Sequence, residues 1–209
     1  LSLRRQRQMC IRDSFSPLQE ISRAKRDPKI MAAELKRGID HINFCAEIYQ
    51  MQIAGKRHFI HEHPEGSRAW QTDALKRLLL RPEVGMVTIH MCAYGMTSID
   101  DQGEGLVKKP TRIMSSSPEV LRRVEARCSN ELEGPKHRHV HLVQGRAKAA
   151  QVYPRLFGVR VCQGIRAQRQ LESLGLRSRP IMTIDEMAKA LLGGLFENDT
   201  EIGDRPAKL

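Results

Sequence analysis

Aromatic side chains are scarce in this sequence. They make up 4% of it, with one Trp, so core burial has to come from Leu, Ile, Val, Met and Ala. Cysteine pairing motifs are missing too: Cys10, Cys45, Cys92, Cys128 and Cys162 are dispersed, with no CxxC pair and no secretory signal ahead of them. An odd, scattered set of this kind reads as reduced thiols and points to a cytoplasmic or nuclear setting. No apolar run approaches the ~18 residues that a membrane helix needs, so a spanning helix is excluded and a soluble protein is expected. Internal repeats are absent, as is any glycine-rich strand–turn–helix fingerprint for a nucleotide cofactor.

Basic charge is what the sequence has in excess. Over 209 residues the formal net charge is +11. The length suits one domain with a real core. The charge favours a polyanionic partner, with a mere solubility surplus of Lys and Arg as the bland alternative. Leu1–Asp13 has no helix or strand period, and Arg5–Ser14 (RQRQMCIRDS) resembles translated sequencing-adapter read-through. Residues 1–14 are therefore read as an artefact or a disordered basic arm. Removing the first thirteen takes away four Arg and one Asp, so the basic character survives.

The chain is organised around Arg57–Trp70 (RHFIHEHPEGSRAW), read as a short strand over His58–Glu62 that stops at Pro64 and turns into a helix. Before it, Asp27-Pro28 is a strong helix start, and Leu35, Ile39, Ile42, Ala46, Tyr49 and Ile53 form one apolar stripe ended by Gly55. After it come a helix from about Ser67 to Leu80, a strand over Val84–Met91, a turn or hairpin at Asp100–Gly105, and a strand over Pro110–Met114. Ser117-Pro118 caps a helix to about Cys128, His139–Val143 is a candidate short strand, and Pro154 opens a long helix to about Leu174. Thr183 and Glu186 form the capping box of a last short helix, and Asn198–Leu209 reads as a frayed end. The alternation of helices and short strands predicts an α/β layered domain over 15–175, followed over 176–209 by a short helix and a disordered tail.

Several motifs recur together in a known pattern: FSPLQ at Phe15–Gln19, EHP at Glu62–Pro64 with Trp70 after it, and MCAYG at Met91–Gly95. KKPT at Lys108–Thr111, His137–His141 and RAKAAQVYP at Arg146–Pro154 complete the set. The set resembles a segment of the polyprotein reading frames of copia-type retrotransposons in algal protists, over nearly all of Phe15–Leu174. In those relatives a Pro-Pro-Cys motif precedes the FSPLQ-like run. That arrangement is similar to the catalytic loop of cytosine carbon-5 DNA methyltransferases, and EHP looks like a version of their Glu-Asn-Val element, with His63 and Pro64 in the Asn-Val positions. The resemblance implies a partial Rossmann-like, methyltransferase-type layered sheet with flanking helices, of which this chain holds the second half. It also implies S-adenosylmethionine as cofactor of a full-length parent, with none expected for this chain alone.

On that reading Glu62 is the candidate catalytic carboxylate, presented at the carboxyl end of a strand, where open α/β sheets bind their ligands. Cytosine methylation also needs a thiolate, a flipped base and the methyl donor. No cysteine directly precedes FSPLQ. Cys92 lies just past a strand and reads either as a buried structural thiol or as a sulfur able to reach the same edge. Structural alternatives for Glu62 are an Arg partner or a cap on the helix at Ser67. Nucleic-acid contacts are assigned to His63, Lys108, Lys109 and Arg112, with DNA as the expected partner beside the rest of the polyprotein, and no membrane. A second basic group, Arg155, Arg160, Arg166 and Arg169, reads as a solvated helix face or a phosphate-contacting one.

Cys128, His137, His139 and His141 cluster in sequence, while His61 and His63 are read as lying on opposite sides of their strand. Cys-x8-His-x-His-x-His is not a standard zinc spacing, so no metal is assigned and the histidines are taken to line a polar loop or touch phosphate. The expected function is a truncated, inactive methyltransferase-like segment. The alternative is a non-catalytic nucleic-acid-binding or structural module of a retrotransposon polyprotein.

Overall fold

The computed structural model describes residues 27–176, apart from 133 and 144. The readings made for Leu1–Asp13, for FSPLQ, for Thr183 and Glu186, and for Asn198–Leu209 lie outside the described residues. Helix α1 (Pro28–Ala54) begins where the sequence says it should: the Asp27 carboxylate accepts the Lys29 amide at 2.8 Å, and Pro28 occupies the first turn. Strand β1 (Ile60–Pro64) runs two residues further than predicted. The single predicted helix after it is two pieces: a 3-10 turn, Arg68–Gln71, capped by the Ser67 hydroxyl, and α2 (Asp73–Leu79). They divide at Thr72, whose extended backbone breaks the helical ladder.

Strand β2 (Gly85–His90) leads into a 3-10 turn, Met91–Tyr94. The hairpin expected around DDQGEG is present as β3 (Thr97–Asp100) and β4 (Gly103–Leu106). Strand β5 (Pro110–Ser115) is followed by α3 (Pro118–Val124), which is capped by the Ser117 hydroxyl on the Val120 amide. This helix stops well short of Cys128, because Glu125 turns extended. The strand expected over His139–Val143 reduces to one bridge, between Leu106 and His139. The long last helix, α4, spans Arg155–Ser173.

The main sheet has the order β1-β5-β2, and β5 is antiparallel to both neighbours. Strands β1 and β2 therefore run in the same direction, joined through α2, with the reversed β5 inserted between them: a split βαβ unit. Period-two alternation sorts the sheet's residues between two cores. Met114 joins Ile42, Ala46, Trp70, Leu75 and Leu78 on the face covered by α1 and α2. Ile113, Val87 and Ile89 join Val120, Leu121 and Val124 on the face covered by α3, with Phe157 and Val161 of α4 packed against them. The mixed α/β class expected from the sequence is thus the class observed. Among the described residues every ladder is antiparallel, and a parallel array of the Rossmann kind is not among them.

Two local readings change. Ile39, placed in the apolar stripe of α1, is 38% exposed, and the buried part of the stripe is Ile42 and Ala46. His61 and His63 do not straddle their strand. Two residues apart, they share the face toward Trp70, with ring centroids 5.0 Å from each other.

Candidate functional site

Both β1 and β2 deliver their carboxyl ends to the edge where β5 starts: Pro64 lies opposite Thr111 and His90 opposite Pro110. Glu62 is half-buried there, in register with Ile113. Its charge reaches Lys109. Burial pulls the Lys109 ammonium below the usual lysine range, and Glu62 partly offsets that. Lys109 itself is held: its Nζ donates to the Ala150 carbonyl at 2.8 Å and sits 4.3 Å from the centre of the Tyr153 ring.

The other residues assigned to nucleic acid diverge from this point. His63 and Arg112 are in register on the opposite face of the sheet, where His63 Nδ1 is 3.3 Å from the Ser67 hydroxyl. The Arg112 guanidinium lies 4.0 Å from Glu65, and its Nε is buried with no hydrogen-bond partner. Lys108 is bound to Glu131, which raises its pKa. Strand alternation makes one surface of all five residues impossible, since Glu62 and His63 are neighbours in a strand.

A second cluster forms beside this edge. Cys92 from the turn after β2, Cys128 from the segment after α3, and His137 and His139 from the following loop bring one ligand atom each to within 4.8 Å of one another. Cys128 Sγ is 3.5 Å from His137 Nε2 and 3.4 Å from His139 Nε2, and the two imidazole nitrogens are 2.8 Å apart. His137 and His139 converge because they are two apart on an extended segment. Arg138, between them, turns away to grip Asp100 through two bonds of 2.8 and 2.7 Å.

The surroundings fix these side chains. Asn130 clamps the His137 backbone from both sides, accepting its amide at 2.8 Å and donating to its carbonyl at 2.7 Å. The Ser129 hydroxyl donates its one hydrogen to the Pro135 carbonyl at 2.6 Å, so toward His137 Nδ1, 3.2 Å away, it can only accept. His137 thus carries its proton on Nδ1 and turns a bare Nε2 into the cluster. The Cys128 amide donates to His90 Nδ1 at 2.9 Å. That nitrogen is an acceptor, so its 3.5 Å approach to Glu131 is no ion pair. Burial holds the His90 pKa down, as a neutral ring requires. Burial and the adjacent Cys128 push the Cys92 thiol up to about 12. A thiol in that state is a poor nucleophile at neutral pH.

Sequence reading found three of the four converging side chains but set His141 in the place that Cys92 takes; His141 is exposed. Cys92 lies far upstream, and no local spacing announces it. Compared with known proteins, the chain matches no family model, no curated protein and no solved structure.

The arginines of α4 are disposed differently from KKPTR. Gly164 and Gln168 are buried, with Phe157 and Val161 toward the core, while Arg155, Arg166 and Arg169 project from the opposite side and are exposed. None of the three is in an ion pair among the described residues. A shallow apolar groove runs between them, lined by Tyr153, Phe157, Val159 and Cys162. It does not suit S-adenosylmethionine: it has no glycine-rich turn and no carboxylate among its lining residues.

Proposed function

We propose that this chain is a non-catalytic nucleic-acid-binding module of a retroelement polyprotein, built on half of a methyltransferase-type α/β layer. The observation that carries the binding is the outer face of α4, where Arg155, Arg166 and Arg169 are exposed and in no ion pair among the described residues, while the cations of KKPTR have protein partners. Guanidinium groups spaced along an exposed helix suit phosphates, set orientation and carry no base readout. The retroelement assignment rests on the motif resemblance. Catalysis by this chain alone is unsupported, because both thiols beside Glu62's edge, Cys92 and Cys128, belong to the Cys/His cluster, and burial pushes the Cys92 thiol up.

The test is binding of the full chain to duplex DNA across a salt series. A steep fall in affinity with salt is expected. Replacing Arg155, Arg166 and Arg169 together by Gln reduces the log–log slope by about 0.9 for each phosphate no longer neutralised, whereas Lys108→Gln leaves it unchanged. A slope that the triple variant does not alter overturns the proposal.

One observation favours a catalytic role in a longer parent: Glu62 is half-buried at a strand's carboxyl end, near enough for its charge to act on Lys109. A doubly wound sheet usually carries its reversed strand at an edge, whereas β5 here is central, so the support for this reading is the position of Glu62 and not the strand order. If Glu62→Ala in such a parent leaves methyl transfer intact, this second reading fails.

A further inference from the structure

We propose that Cys92, Cys128, His137 and His139 are the four ligands of a structural Zn²⁺ site, and that the metal ties together three segments that no continuous ladder joins. The donor set is the first argument. Two sulfurs and two imidazole nitrogens from one chain match the closed tetrahedral class, in which no position is left for substrate. Zinc bonds of about 2.3 Å to sulfur and 2.0–2.1 Å to nitrogen, at tetrahedral angles, place S and N about 3.5 Å apart. From Cys128 Sγ the distances to His137 Nε2 and His139 Nε2 are 3.5 and 3.4 Å. The nitrogen pair, at 2.8 Å, has to open by about half an ångström to fit the same bond lengths, and Cys92 Sγ lies within 4.8 Å of the other three donor atoms.

The second argument is the outer shell. Zinc-bound histidines give their other N–H to an acceptor that fixes tautomer and ring angle. Ser129 does this for His137, and Asn130 pins the backbone beneath the ring. His90 anchors Cys128 through its amide, leaving the sulfur free to ligate. The third argument is charge. Both sulfurs are buried, Cys128 completely, so thiolates are costly there without a cation. Zn²⁺ with two thiolates is neutral overall, the two thiol protons passing to solvent on binding.

The experiment uses the full chain, purified under reducing conditions and titrated with Co²⁺ and then Zn²⁺. One equivalent of Co²⁺ should give the intense visible bands of a tetrahedral ion and a thiolate-to-cobalt charge-transfer band, both erased by Zn²⁺. Cys92→Ser and His137→Ala abolish that spectrum, His141→Ala and Cys162→Ser retain it, and Ser129→Ala retains it with affinity about 10–100-fold weaker. Should Cys92→Ser fail to fold, alkylation of the unmutated chain decides. Zn²⁺ must protect Cys92 and Cys128 while Cys45 and Cys162 still react. Octahedral Co²⁺ without charge transfer, no stoichiometric metal, unprotected thiols, or a Cys92–Cys128 disulfide in the reduced preparation overturns the site.

Discussion

Lys109 is the residue in which local strain and tertiary contact are most closely balanced. Its φ of 32° is left-handed, and it precedes Pro110, which favours extended backbone at the residue before it, so the observed conformation is strained. The ammonium bond to Ala150 and the position over Tyr153 hold it there. A charged hydrogen bond contributes about 1.5–3 kcal/mol and a cation–π contact about 0.5–2 kcal/mol. Lys109→Met should therefore destabilise the fold by about 2 kcal/mol in chemical denaturation, with little change in the salt slope of DNA binding. Glu172 supplies a pH-dependent contribution. Burial tends to raise its pKa, but bonds from His58 at 2.5 Å and Gln168 at 2.9 Å outweigh that and lower it. A folded-state pKa below the unfolded value gives stability that is complete above the usual carboxylate range and lost as pH falls through it. The difference in melting temperature between the unmutated chain and Glu172→Gln should accordingly shrink as pH drops below about 4.5.

At the scale of elements, the α3–α4 contact is the tightest. A Cβ on Gly164 would lie 2.6 Å from the Val120 Cα and 3.0 Å from the Glu119 carbonyl oxygen. Alanine would gain about 1 kcal/mol in helix propensity, but the obstacle is backbone and cannot step aside. Overpacking wins, and Gly164→Ala should cost about 1–3 kcal/mol in thermal or denaturant unfolding. Leu78, fully buried on the other face, should cost about 2–5 kcal/mol as Leu78→Ala. Elements of this kind were legible in the sequence wherever their signals are local. The Asp27-Pro28 cap and the stripe through Ile42 and Ala46 announce α1, and Ser117-Pro118 announces α3. The break at Thr72 and the early end of α3 were not legible, because no glycine or proline marks them. Each follows from tertiary docking, of Trp70 onto the Pro64 carbonyl and of Cys128 onto His90.

For the whole molecule, strand order and the Cys/His cluster share one reason for staying hidden. Both depend on pairing residues that are remote in sequence: β5 enters between β1 and β2, and Cys92 meets His137 and His139 across α3. Alternation along β1 could be read locally, and it already implied that Glu62 and His63 could not serve one surface. The same distribution bears on the proposed binding face. Pressed backbone to backbone at Gly164, α4 cannot roll about its own axis, so Arg155, Arg166 and Arg169 keep a fixed bearing relative to the sheet. A phosphate chain arriving at that row finds the angles already chosen, and the ordering penalty that a floppy basic tail would incur at each encounter was met when the protein folded.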